Sequence, residues 1–134
     1  MSILIRTWHL ANGLKVEILD DTVSYYGDYS TVKLTIRCAI KVEKEYLRSF
    51  DDHPRYRMIA GILGGAAEYR REIVKPGVPG KNLSGVKGFL VDRFEENALG
   101  YFERADFPER FVRKRFTEIA EELEKKDLLP DGDR

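Results

Sequence analysis

From Val32 to Val42 every second residue of this chain is apolar: Val32, Leu34, Ile36, Cys38, Ile40 and Val42. Lys33, Thr35, Arg37, Lys41 and Glu43 fill most of the gaps. A period of two marks a strand with one buried and one wet face. A strand is therefore expected from about Tyr29 to Glu43. That is longer than the usual 5–6 residues or so, which leaves room for a bend or bulge. Upstream, Ile3 to Leu10 is rich in β-branched and aromatic residues, and Asn12-Gly13 is a strong hairpin signal. Leu14, Val16 and Ile18 then alternate with Lys15 and Glu17. A two-residue turn pairs His9 with Val16 and sets Trp8 opposite Glu17; a longer loop inverts those faces.

Helical spacing begins after Asp52-His53-Pro54, with Asp52 or His53 as cap. Met58, Ile59, Ile62 and Leu63 follow it, and Gly64-Gly65 supplies the stop. A hairpin turning at Gly64-Gly65 is the rival; the helix is preferred. Tyr69, Arg71 and Ile73 form one face of a fourth strand ending at Pro76. Lys75 to Gly85 reads as a loop, with Ser84 or Asn82 capping a second helix. Val86, Leu90, Phe94, Ala98 and Tyr101 recur along that helix. Asp106-Phe107-Pro108-Glu109 opens a third helix, with Val112, Phe116, Ile119 and Leu123 as its apolar stripe. The second and third helices are expected to form a hairpin turning near Ala105.

Strands lead and helices follow, which specifies an α+β fold. The expectation is an antiparallel sheet of three to four strands with two to three helices on one face. One domain, 1–127, followed by a flexible tail, 128–134, suits a chain of 134 residues. Charge is balanced, with 23 basic and 23 acidic residues. The basic excess of a general nucleic-acid binder is absent. The single cysteine, Cys38, excludes an internal disulfide and a Cys-rich zinc site. No apolar run approaches the roughly 20 residues of a membrane span. The expected setting is the cytoplasm, without membrane association.

Four features carry candidate chemistry. The Gly/Pro/Lys segment 76–88 offers Lys81, Ser84 and Lys87 to a phosphate or other small ligand. Its glycine and lysine spacing misses that of a P-loop. Arg110, Arg113, Lys114 and Arg115, interleaved with Phe107, Phe111 and Phe116 in segment 107–116, suit nucleic acid in type. Glu118, Glu121, Glu122 and Glu124 follow within a turn or two and cancel that field. The same basic-then-acidic helix suits antiparallel pairing with its own copy. Tyr25, Tyr26 and Tyr29 flank Gly27-Asp28 and supply rigid amphipathic contact area.

The two histidines, His9 and His53, lie far apart, so no metal and no cofactor are expected. Cys38 falls on the apolar face of the long strand, where a buried thiol is inert. With no catalytic constellation, the reading favours a non-catalytic interaction module, self-associating or with a protein partner. A small-ligand binder or enzyme using 76–88 is the alternative, and a nucleic-acid binder using 107–116 a second. The element order and the start Asp106-Phe107-Pro108-Glu109-Arg110-Phe111 resemble small bacterial proteins of no assigned function. That resemblance implies no activity, ligand or site.

Overall fold

A computed structural model describes residues 2–25 and 27–128. Among these residues five strands form the sheet: β1 (Ile3–His9), β2 (Lys15–Asp20), β3 (Val23–Tyr25), β4 (Tyr29–Lys41) and β5 (Ala66–Pro79). The helices are α1 (Tyr56–Leu63), α2 (Leu83–Asn97), α3 (Leu99–Glu103) and α4 (Phe107–Leu128). Short 3-10 segments cover Lys44–Phe50 and Gly80–Asn82. The α+β class stands, with one strand and more helical pieces than the sequence suggested. The tail beyond Leu128 lies outside the described residues.

The chain forms two compact units, each built from two separate stretches. The first comprises Met1–Ala39 and Glu68–Ala105, the second Ile40–Ala67 and Asp106–Arg134.

In the first unit the strand order is β1-β2-β4-β3, with β5 also paired to β4. The long strand is borne out. Val32, Leu34, Ile36 and Cys38 are almost wholly buried, as is Ile40, where the second unit begins. Fully burying a side chain of that kind contributes roughly 1.5–3 kcal/mol. Antiparallel register sets Val16 against Cys38 and Ile18 against Ile36, so the apolar positions of β2 and β4 share a face.

The first hairpin corrects an expectation. Its loop is longer than two residues: the Leu10 N–H donates to the Leu14 carbonyl, and His9 pairs with Lys15. Trp8 therefore lies opposite Val16, on the apolar face. Asn12 explains the longer loop. Its Oδ1 accepts the Leu14 N–H, and its Nδ2 donates to the carbonyls of Phe102 and Arg104. Gly13 supplies the positive φ, +88°, that closes the turn.

The segment 75–85 is not a loop. β5 runs through Pro76 to Pro79, the 3-10 turn follows, and α2 starts at Leu83. Proline lacks a ladder donor but is tolerated where a strand's N–H is not needed. Nor do Val86 to Tyr101 form one helix, since the chain breaks at Ala98 between α2 and α3. The break places Phe102, not Tyr101, in the core.

Helix α2 lies on the apolar face of the sheet. The Trp8 and Phe94 rings are 5.5 Å apart, and the Trp8 indole N–H donates to Glu95 at 3.0 Å. Phe102 adds an edge-on contact with Tyr69 of β5, at 4.8 Å between ring centres.

The second unit centres on Phe116 of α4. Phe50 stacks on it at 4.3 Å, His53 meets it edge-on at 5.8 Å, and Tyr56 lies 6.0 Å away. Of the expected stripe, Val112, Phe116 and Ile119 are buried and Leu123 is half-buried. The preferred α1 exists, but it starts at Tyr56. His53 helps to set that start by accepting the Arg55 N–H on Nδ1. Only Ile59 and Leu63 of its expected stripe are buried, and Met58 and Ile62 are more than half exposed.

Candidate functional site

The outer side of the first unit carries an uncommon edge. β1 ends the strand order, and its first three residues are exposed: Ile3 58%, Leu4 50% and Ile5 39%. Edge strands are usually guarded by lysine, proline or inward charge. Ile3-Leu4-Ile5 has none of these, although a register irregularity between Leu4 and Arg6 shortens the regular ladder. Arg6 is held at its neighbour helix by Glu95 at 3.2 Å.

A cleft of about 290 Å³ lies between β5 and α2. Its floor is Ile73, Leu90, Phe94 and Ala98, all buried or half-buried. Its rim is Arg71, Arg93 and Asn97, all exposed. Tyr69, Arg71 and Ile73 share a strand face, as the alternation predicts. That face is turned toward α2 and α3.

The opposite, polar face of the sheet is neutralised within itself. Arg37 bonds Glu17 at 3.0 Å and Lys33 bonds Glu72 at 3.1 Å. Glu17 and Arg37 are register partners on β2 and β4. The hydroxyl of buried Thr35 donates to Asp21 at 2.6 Å, and Ser2 also donates to Asp21. Those two hydrogen bonds, the one from Ser2 foremost, hold the Asp21 carboxyl below the usual carboxylate range.

The residues singled out from sequence fall in several places. Lys87 forms a 2.7 Å ion pair with Asp20, tying the first turns of α2 to β2. Burial pushes the Asp20 carboxyl up, but the hydrogen bonds from Lys87 and Thr22 outweigh it and leave the group lowered. Lys81 and Ser84 are exposed, on the 3-10 turn and the first turn of α2. Tyr25 and Tyr29 face each other across the β3–β4 turn, and both are about half exposed, 46% and 50%. Tyr26 lies outside the described residues.

The tyrosine turn and the segment leading to Lys81 do converge. The Gly77 N–H donates to the Tyr25 hydroxyl at 3.1 Å, and the Gly80 N–H to the Asp28 carbonyl at 2.7 Å. They meet as packed chain, because a Cβ at Gly80 would run into the Asp28 carboxylate.

On α4, Arg113 donates to Ser49 at 3.1 Å and lies 5.6 Å from the Phe50 ring centre. Arg115 reaches Glu118 and Glu122 along its own helix, each at 3.5 Å. Lys114 and Glu121 are exposed. With Val112, Phe116 and Ile119 buried, the exposed side of α4 is almost wholly charged.

Cys38 is 1% exposed, and burial, with Glu17 adding to it, pushes its thiol up to about 11. Among the described residues no group of three His, Cys, Asp or Glu side chains is placed to hold a metal ion. No described helix is long and apolar enough to cross a membrane.

Sequence reasoning missed Arg93, Asn97 and the β1 edge as surface features. The signal for the edge was present: Ile3, Leu4 and Ile5 are consecutive apolar residues, which a strand with one wet face does not need. In comparisons with known proteins the chain matches no family model, no curated sequence and no solved structure.

Proposed function

We propose that this chain is an interaction module that self-associates through the outer edge of β1. The observation that carries the reading is the exposure of Ile3, Leu4 and Ile5 on the outermost strand. A strand edge offers unpaired N–H and C=O groups, and a second strand satisfies them while covering the apolar side chains. A two-fold axis beside Leu4 sets Leu4 against Leu4, Ile3 against Ile5 and Ser2 against Arg6 of the copy. No like charges then meet. An axis beside Arg6 would place two guanidinium groups together. The ladder is short, so the contact falls below the roughly 1,200 Å² of a firm interface, and a weak, concentration-dependent dimer follows. Helix α4 is the poorer surface for pairing, since its apolar stripe is already buried.

Sedimentation velocity over a rising concentration series tests the proposal. The sedimentation coefficient should rise with concentration, and Leu4→Lys should hold it at the monomer value. Oxidation of Leu4→Cys should give a covalent dimer, since antiparallel partners lie about 4.5–5.5 Å apart at Cα. Lys114→Cys on α4 serves as the comparison site. A monomer mass at every concentration, or cross-linking at Lys114→Cys and not at Leu4→Cys, overturns the reading.

A further inference from the structure

We infer that the cleft between β5 and α2 is a binding site for a small amphipathic anion, an apolar body of several carbons ending in a carboxylate. This is independent of the β1 edge. In the same unit Arg6, Lys33, Arg37, Arg70 and Lys87 each have a carboxylate within ion-pair distance. Arg71 and Arg93, like the exposed Lys75 and Lys81, have none among the described residues. Both arginines line the one cleft, and no acidic side chain lines it with them.

Arg93 is also steadied before any ligand arrives. Its guanidinium lies 5.7 Å from the centre of the Phe89 ring, one helical turn back. An unpaired guanidinium fork at an apolar floor recognises a planar anion bidentately. The floor residues Ile73, Leu90 and Phe94 offer no polar side-chain atom, so the rest of the ligand is apolar. The cleft holds 290 Å³. That is ample for a body of several carbons. Octanoate has that polarity and is small enough for that volume.

The probe is sodium octanoate, followed by amide and methyl shifts of the isotope-labelled full chain. Saturable changes at Ile73, Leu90 and Ala98 are expected. Arg71→Gln and Arg93→Gln should each weaken binding about tenfold, the size of one charge-assisted hydrogen bond. Both side chains are exposed, so the variants should fold, and Lys81→Gln should bind as the parent does. Octanol should bind more weakly than octanoate, and inorganic phosphate should leave the floor residues unmoved. The inference is overturned if octanoate shifts no cleft residue. It is equally overturned if octanol binds as well as octanoate, or if phosphate reproduces the pattern. Octanoate shifts confined to Ile3–Ile5 would mean adsorption at the β1 edge and would also overturn it.

Discussion

Lys87→Met isolates the bond that ties α2 to the sheet. Methionine keeps most of the aliphatic stem and removes the ammonium. In the parent, Asp20 is 13% and Lys87 28% exposed at the side chain, and their charged atoms are 2.7 Å apart. That places the pair between two regimes. Fully exposed pairs contribute about 0–1 kcal/mol. Breaking a buried pair costs about 3–5 kcal/mol, because a charge is left without a partner. Here Asp20 keeps its hydrogen bonding from Thr22, whose N–H donates at 3.0 Å. A loss of about 2 kcal/mol is therefore expected, the range of a hydrogen bond to a charged group. Asp20→Asn in the Lys87→Met background should recover part of it, since a neutral amide is less costly to bury than an orphaned carboxylate.

The pH dependence gives a second, sharper check. The folded Asp20 carboxyl sits below its ordinary value. A lowered folded pKa means stability that is present above the unfolded pKa, about 3.9, and is lost as pH falls through the folded value. The gap between parent and Lys87→Met should thus be full at neutral pH and close below about pH 4. Urea titration by circular dichroism at a series of pH values measures it. A gap under about 0.5 kcal/mol at pH 7 would place the pair in the solvent-screened regime. A gap that persists unchanged into acid would mean that Lys87 acts by packing alone. Either result refutes the reasoning.

Two other expectations are simpler. The Cys38 thiol should resist a colourless-to-coloured disulfide reagent in the native protein and react at the rate of unfolding in urea; prompt stoichiometric labelling of native protein would contradict its burial. Gly64→Ala should destabilise by about 1 kcal/mol through its positive φ, +72°, whereas Gly61→Ala, mid-helix with open space around it, should stabilise by about as much, and equal effects in thermal melts would refute the backbone argument.

The parts of the fold that could be read were those fixed by local pattern. β4 announced itself because its alternation persists over eleven residues and β2, β3 and β5 all pair with it in one sheet. The stripe of α4 was legible for the same reason. The hairpin's existence was legible but its register was not. That register depends on Asn12 reaching the carbonyls of Phe102 and Arg104, some ninety residues away. The segment 75–85 misled because glycine and proline mark turns in isolation. There the two prolines fall within β5, and Gly77, at φ +67°, is tied to the Tyr25 hydroxyl. Met58 and Ile62 misled in the other direction, since a helical stripe does not say how wide a face its neighbours cover.

For the cleft, half of the information lies in the alternation along one strand. Alternation along β5 separates its charges by face. Glu68 and Glu72 fall on the even positions, where Glu68 meets Arg70 and Glu72 meets Lys33. Arg71 falls on the odd positions with Tyr69 and Ile73. Two acids one and three residues away therefore cannot neutralise Arg71 without leaving their own face. An equal count of acids and bases conceals this, because a total says nothing of which charges can meet. The other half was not local. Only the fold brings Arg93 of α2 to the same rim and closes an apolar floor beneath both arginines. The unpaired charge was thus predictable from period two, while its company was a product of topology.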